Sequence, residues 1–250
     1  MFRLRSAFKD RPDQERLKKK RNLKGKNGGG YNMTNKVISK QDAIKKIKDG
    51  SSVMIGGFGG VGCPYQLIDE LIEQGVKDIT MIVNDTATAE IGVGKLVANK
   101  QVKTLNATHI GTNTESVRQM NEGEMEVTLI PQGTLAERIR AAGYGIGGFL
   151  TPTGVGTEVA EDKDSFNIDG KDYILEKPLF ADYALIYADR ADEKGNLDYH
   201  GVTPNFNVVM AAAGKEVIVE AKEVVKEGEL NPDHIKVPHV YVDYIVKGEG

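Results

Sequence analysis

The alternation of short apolar runs with amphipathic segments of about ten residues is the feature that most constrains the fold. After Met33 the sequence predicts a helix capped by Ser39 and running to Asp49-Gly50, and then a strand over 52–55. Further predicted strands follow at 78–85, 102–110 and 125–132, separated by predicted helices over 64–74, 91–99, 115–122 and 134–143. Strands separated by helices favour a parallel sheet with right-handed crossovers. We therefore predict an α/β fold with an open, mostly parallel sheet, flanking helices and layers related to the Rossmann fold.

The chain changes character beyond Gly143, where a glycine-rich connector extends to Gly156. The segment at 166–176 predicts a hairpin that turns at Asp169-Gly170. Three more apolar runs, at 183–190, 216–221 and 239–246, are predicted to be strands that extend or flank the same sheet.

Charge is unevenly distributed along the 250 residues. Residues 1–32 hold 11 of the 33 Lys and Arg and 3 of the 36 Asp and Glu, which leaves 22 basic against 33 acidic residues in the rest. A basic arm of this kind is typical of nucleic-acid or membrane tethers.

We prefer another interpretation of this arm. Met33 lies just before the first predicted helix, so we expect residues 1–32 to be a disordered extension without function, and residues 33–250 to form the domain. The N-terminal mass of the natively expressed protein tests this hypothesis.

The sequence also indicates where the protein acts. It shows no apolar run of the roughly 20 residues that span a bilayer and no signal-peptide pattern. One cysteine, Cys63, excludes an internal disulfide, and the four histidines are too scattered to predict a metal site. We expect a cytoplasmic protein without a metal, in which Cys63 is a packing residue.

A glycine cluster follows the first strand, in the segment SSVMIGGFGGVGCPYQL at 51–67. Gly57, Gly59 and Gly62 match the G-x-G-x-x-G pattern of dinucleotide-binding folds, and Asp85 at the end of the next strand would be the ribose ligand. In that fold the helix begins near the second glycine, which would place Pro64 inside it, where proline breaks a hydrogen bond. A helix that begins at Pro64 is preferred, because proline is favoured at the first helical position.

The glycines then form a loop ahead of the helix. Five glycines in seven residues exceed what a tight crossover requires, so we predict that backbone N–H groups in this loop face an anion or a developing oxyanion. The predicted binding residues are Gly56, Gly57, Phe58, Gly59, Gly60, Val61 and Gly62. A phosphate loop of the nucleoside triphosphatase type is disfavoured, because no Gly-Lys-Ser/Thr follows.

The segment DGSSVMIGGFGGVGCP at 49–64 resembles the signature of family I coenzyme A transferases, and specifically of their α subunits. Four further segments fall in the family's order: NDTA at 84–87, HIGTN at 109–113, 123–157, and NFN at 205–207. The resemblance covers nearly all of residues 33–250.

The resemblance implies an enzyme that moves CoA from an acyl-CoA to a free carboxylate by a ping-pong route through a glutamate. In the family this glutamate lies in a Ser-Glu-Asn-Gly motif on the β subunit, and this chain has no such tetrapeptide. The resemblance thus implies a separate β subunit in an α2β2 or α4β4 assembly, no catalytic nucleophile here, and a CoA thioester as substrate rather than a bound cofactor. Glu90, Glu122 and Glu124 are acidic residues near glycines that we interpret as solvated side chains.

Within this interpretation the α subunit forms one wall of the site. The glycine loop faces CoA, and Gln132 and Gly133, after a parallel strand, are expected near the acyl end, since ligands bind at strand carboxyl ends. The acyl group, butyryl, acetyl or acetoacetyl, and the direction of the reaction stay open. A dinucleotide-binding oxidoreductase domain and a non-catalytic CoA-binding module are the alternatives.

Overall fold

The computed structural model describes residues 36–249, and the predicted extension at 1–32 lies outside them. In these residues an eight-stranded sheet has the strand order Tyr244–Lys247, Gly214–Val225, Ala181–Asp192, Ser52–Ile55, Ile79–Ile82, Val102–Ala107 and Glu126–Leu129, and the short strand Leu197–Asp198 pairs with Ala181–Asp192. All neighbours are parallel except this last pair. The predicted open, mostly parallel α/β sheet is confirmed.

The elements follow one another as a repeated helix and strand through the first half of the chain. In chain order they are α1 Lys40–Ile44, β1 Ser52–Ile55, α2 Tyr65–Glu73, β2 Ile79–Ile82, α3 Val93–Ala98, β3 Val102–Ala107, α4 Thr114–Asn121, β4 Glu126–Leu129 and α5 Gln132–Tyr144. The second half contains β5 Phe149–Thr151, β6 Ser165–Ile168, β7 Lys171–Glu176, β8 Ala181–Asp192, β9 Leu197–Asp198, α6 Asn205–Ala213, β10 Gly214–Val225 and β11 Tyr244–Lys247.

Helices cover both faces of the sheet, and each face has its own apolar core. Val53 and Ile55 of β1 pack in the cluster formed with α1, α2 and α3, whereas Met54 packs in the cluster formed with α5 and α6. Alternate side chains of a strand point to opposite faces, so a strand buried on both faces is apolar throughout. This explains why the runs at 52–55 and 79–82 show no polar alternation.

The hairpin predicted at Asp169-Gly170 is confirmed, but it belongs to a second sheet. Both turn residues have positive φ, 52° and 79°, as a two-residue turn of type I′ requires. Strands β6 and β7 pair antiparallel, and β5, from the glycine-rich connector, joins them in the order β5-β7-β6.

Two local predictions were wrong, and one helix was missed. The first helix ends at Ile44 rather than near Gly50. The run predicted as a strand from His239 begins with a 3₁₀ turn over His239–Tyr241 after Pro238, and the strand starts only at Tyr244. Helix α6 was not predicted, because its apolar residues at 206–213 have no polar face that would reveal a helical period.

Candidate functional site

The glycine loop is a narrow hairpin at the carboxyl end of β1. Phe58 and Val61 exchange both backbone hydrogen bonds, at 3.0 and 2.9 Å, and Gly59 and Gly60 form its tip. The tip glycines have φ values of 55° and 86°, which side chains other than glycine rarely adopt. Helix α2 begins after this loop with Pro64 as its N-cap, so the glycines precede the helix as predicted.

The backbone donors of the loop are only partly available to a ligand. The N–H groups of Phe58 and Val61 are used in the hairpin, and Gly59 N–H donates to Asp85 Oδ2 at 2.9 Å. Among residues 36–249, the N–H groups of Gly57, Gly60 and Gly62 have no acceptor. The prediction of successive uncovered donors is therefore corrected to these three, separated by donors that hold the loop in shape.

The N-terminus of α2 is also occupied. Glu220 on β10, 5% exposed, accepts hydrogen bonds from Gln66 N and Leu67 N at 2.9 and 3.1 Å. A carboxylate at this position satisfies the free helix donors and the positive end of the helix dipole. The structure thus leaves no open helix terminus for a pyrophosphate here, which removes the physical basis of the dinucleotide alternative.

Two asparagines from the distant NFN segment clamp the loop. Asn205 Nδ2 donates to Val61 O at 3.0 Å, and Asn207 Nδ2 donates to Gly62 O at 2.9 Å. A Cβ atom on Gly62 would lie 2.8 Å from Thr203 O and 3.0 Å from both asparagine amides, so only glycine fits against the clamp. These two hydrogen bonds explain why the NFN segment belongs to the site. The sequence alone did not reveal that its amides hold the glycine loop.

Asp85 joins the loop to the next strand, where it follows β2. Its Oδ1 accepts from Ala87 N at 2.9 Å, and its Oδ2 accepts from Gly59 N and from Asn84 Nδ2, the latter at 2.7 Å. Asp85 is therefore not the free ribose ligand that the dinucleotide alternative requires, because each of its oxygens already accepts a hydrogen bond within this chain. Asp85 instead fixes the hairpin tip.

Gln132, the first residue of α5, contacts the same network. Its Nε2 donates to Asn84 Oδ1 at 2.8 Å, and Thr108 Oγ1 donates to the same oxygen at 3.1 Å. Asn84 is 2% exposed and links the two side chains. Gly133 is exposed, and a Cβ added there would meet nothing within 4 Å.

Phe58 and Gly59 of the glycine loop line one cleft of about 370 Å³ together with Gln132, at the carboxyl ends of β1 to β4. The NDTA and HIGTN segments contribute to the same cleft, whereas Gly57, Gly60, Gly62 and Gly133 are not among its lining residues. The lining residues are Phe58, Gly59, Asn84, Asp85, Ala87, Thr88, Ile91, Thr108, His109, Thr112 and Gln132.

The remaining candidates lie apart from this network or carry no free reactive group. Cys63 is buried at 5% exposure, and burial raises the pKa of its thiol to about 12. Glu122 and Glu124 pair with Arg118, and Glu90 is exposed on a turn. Residues 36–249 contain no group of three or more His, Cys, Asp or Glu that could hold a metal ion, and no helix among them is long and apolar enough to cross a membrane.

Comparisons with known proteins give a consistent result. A family model described as Coenzyme A transferase matches residues 37–248. The alpha chain of an acetate CoA-transferase from Escherichia coli (strain K12) is 50% identical over 214 residues, which are 86% of this chain and 97% of that protein. One chain of a probable succinyl-CoA:3-ketoacid coenzyme A transferase from Bacillus subtilis (strain 168) is 48% identical over 212 residues, 85% of this chain and 89% of that protein.

A solved structure has the same fold. The apoenzyme of an acyl-CoA transferase from Escherichia coli O157:H7 superposes with a TM-score of 0.78 at 23% identity. The match covers 88% of this chain and 48% of that one, so this chain spans about half the length of that protein.

Proposed function

Because the chain belongs to the coenzyme A transferase family, we propose that it is the α subunit of an enzyme that moves CoA between a short-chain acyl-CoA and a free carboxylate. The proposed acyl groups are acetyl, butyryl and acetoacetyl. A separate β subunit supplies the nucleophilic glutamate, in an α2β2 or α4β4 assembly in the cytoplasm. The CoA thioester is a substrate, and the proposal includes no permanently bound cofactor.

The convergence of four sequence segments on one cleft is the observation that carries this proposal. The loop after β1, Asn84-Asp85 after β2, His109 after β3 and Gln132 after β4 all line it. Carboxyl ends of parallel strands are the usual ligand-binding edge of an open α/β sheet. Among residues 36–249, Asp85 is the acidic side chain that lines the cleft, and three hydrogen bonds hold its carboxylate against the loop and the NDTA segment. This supports a nucleophile on a partner chain.

In the proposed mechanism the partner's glutamate attacks the thioester carbonyl, which expels CoA thiolate and yields a mixed anhydride. The thiolate then attacks the glutamyl carbonyl, which breaks the anhydride C–O bond, releases the donor as a free carboxylate and forms an enzyme thioester. The second carboxylate reverses these steps. Splitting the exchange in this way conserves the thioester's free energy if water is excluded.

Each addition places a negative charge on a carbonyl oxygen, and this chain's part is to stabilise that charge and to orient the acyl group. Backbone donors at fixed positions stabilise such oxyanions by about 3 to 4 kcal/mol per donor. Gly57, Gly60 and Gly62 are the loop residues whose N–H groups have no acceptor within residues 36–249. Asp85 and the Asn205–Asn207 clamp hold them in place.

Gln132 is proposed to contact the substrate through its amide. One N–H of its Nε2 donates to Asn84, which leaves the second N–H to donate to a ligand and Oε1 to accept from one. Gly133 next to it leaves open space at the start of α5.

The test is CoA exchange between acetoacetyl-CoA and acetate, measured with the purified chain alone and with a co-expressed β subunit. Activity only in the complex is expected, and changing the β subunit's nucleophile to alanine should then abolish it. Turnover by this chain alone would contradict the split site. Recovery of the native chain without a second chain of similar size would favour the remaining alternative, a non-catalytic CoA-binding module.

A further inference from the structure

The walls of the cleft are apolar where they meet solvent. Phe58, from the loop tip, is 51% exposed, and Ile91, from the turn before α3, is 44% exposed. Both line the cleft together with Ala87. Walls of this kind fit a short aliphatic chain, because they gain from being covered by apolar groups.

The one acidic side chain in the lining stays fixed at the cleft wall. Asp85 is held by Gly59 N–H, Ala87 N–H and Asn84 Nδ2, at 2.9, 2.9 and 2.7 Å. The other polar side chains of the lining are uncharged amides and hydroxyls, and His109. No lysine or arginine among residues 36–249 lines this cleft.

The reaction changes the charge of the carboxylate that accepts CoA. Over the whole cycle one thioester C–S bond is lost and another is gained. The donor acyl group leaves as a carboxylate with an oxygen from the glutamate, and the acceptor carboxylate returns an oxygen to the glutamate. A monocarboxylate therefore becomes an uncharged acyl group. A dicarboxylate keeps one negative charge at its far end.

We propose that Phe58, Ile91 and Asp85 make this cleft selective for short monocarboxylates, such as acetate, butyrate and acetoacetate, over dicarboxylates such as succinate. This inference rests on the proposed function. The far carboxylate of a bound dicarboxylyl group would lose water against the apolar wall and meet the negative charge of Asp85 without a compensating cation from residues 36–249. Such a mismatch is a common source of discrimination between similar ligands. Relatives named for acetate and for succinyl-CoA are similarly close, so overall identity does not decide this point.

The test uses the complete complex, β subunit included, with acetoacetyl-CoA as donor. We expect kcat/KM for acetate or butyrate to exceed that for succinate by about tenfold or more, and equal or higher values for succinate would overturn the inference. A complex that transfers CoA to no acceptor would contradict the proposed function instead. Calorimetric binding of butyryl-CoA and succinyl-CoA to that complex would still measure the selectivity, which is overturned if succinyl-CoA binds as tightly.

Adding a positive charge to the exposed wall of the cleft tests whether the cleft determines the selectivity. Ile91→Lys should raise kcat/KM for succinate relative to butyrate by about fivefold or more, since it offers the far carboxylate a cation. Met120→Lys adds the same charge on α4, outside the lining, and should leave the ratio unchanged. An unchanged ratio in Ile91→Lys would show that selectivity arises elsewhere, which overturns its assignment to this cleft.

Discussion

The side-chain oxygen of Asn207 occupies the space next to Gly56 that a Cβ atom would need, lying 1.8 Å from the position of that atom. The same oxygen accepts a hydrogen bond from Tyr187 N at 2.9 Å, while the amide nitrogen holds Gly62 O. Gly56 is therefore required by packing rather than by backbone conformation, because its φ is not positive.

Gly56→Ala should displace Asn207 and break its hydrogen bonds to Tyr187 of β8 and to Gly62 of the loop. We expect a loss of at least about 2 kcal/mol in the free energy of unfolding, since buried polar groups lose their partners. CoA transfer in the complex should fall with it. Urea denaturation and exchange assays measure both effects, and a variant as stable as the wild type would contradict the clamp.

Gly133→Ala is the matched control for this substitution. A Cβ there meets nothing within 4 Å and the residue lies in α5, so stability should stay within about 0.5 kcal/mol of the wild type or rise. Because Gly133 is proposed to lie near the acyl end, a lower activity at unchanged stability would support that position. Unchanged activity would count against it.

Asp85→Ala should loosen the hairpin tip, because Gly59 N–H and Ala87 N–H lose their acceptor. We expect KM for acetoacetyl-CoA to rise by about tenfold, whereas Asp85→Asn, which keeps an acceptor oxygen, should lose less. Steady-state kinetics of the two complexes make the comparison. Equal losses in both variants would indicate that the charge matters rather than the hydrogen bonds.

Glu220 should make stability depend on pH. Its burial raises the pKa to about 7, although two backbone hydrogen bonds act in the opposite direction. The folded state therefore retains a proton that the unfolded state, with a carboxyl pKa near 4.5, has released. Stability from this group is lost as pH rises from about 4.5 to about 7, by up to about 3 kcal/mol.

The variant Glu220→Gln isolates this effect, since a glutamine oxygen still accepts from the α2 amides and does not titrate. The difference in unfolding free energy between variant and wild type should grow in favour of the variant between pH 5 and pH 7.5. Urea titrations at four pH values suffice. Parallel pH profiles for the two proteins would refute the titration of Glu220 in this range.

Cys63 should resist alkylation in the native protein. Its thiol is buried and its pKa is raised to about 12, so little thiolate is exposed to a reagent at pH 8. We expect iodoacetamide to modify Cys63 slowly under native conditions and rapidly in urea. Mass spectrometry measures the extent of modification over time. Rapid native labelling would show that the segment between the glycine loop and α2 opens.

The order of elements up to α5 could be predicted from the sequence because each strand is apolar and each crossover has a local signal. Pro64 predicted where α2 begins to within one residue, and Asp169-Gly170 predicted the hairpin turn. Local signals also placed Gln132 after a strand end, so the predicted sheet brought it to the same edge as the loop.

The rest depends on contacts between residues far apart in sequence. Nothing near Asp85 indicates that its carboxylate would hold Gly59, and nothing near Gln66 indicates that Glu220 would cap its helix. Whether a loop N–H group is free depends on distant acceptors such as Asp85, which the residue types of the loop do not reveal. The sequence therefore predicted more free donors than the structure has. Strand β5, which lies in the glycine-rich connector at 143–156, was not predicted. Its residues carry no local signal for the pairing with β7.

The loop's clamp has a consequence for how the protein is made. Asn205 and Asn207 lie 144 and 145 residues after the carbonyls that they hold, and β1 completes its pairing only with β8. A nascent chain therefore emerges from the ribosome with one edge of β1 unpaired and the loop unclamped until nearly the whole domain has been synthesised. Folding of such non-local contacts is slow, and unpaired strand edges favour aggregation. Messages truncated before codon 205 would encode the family's signature loop without the residues that fix its shape.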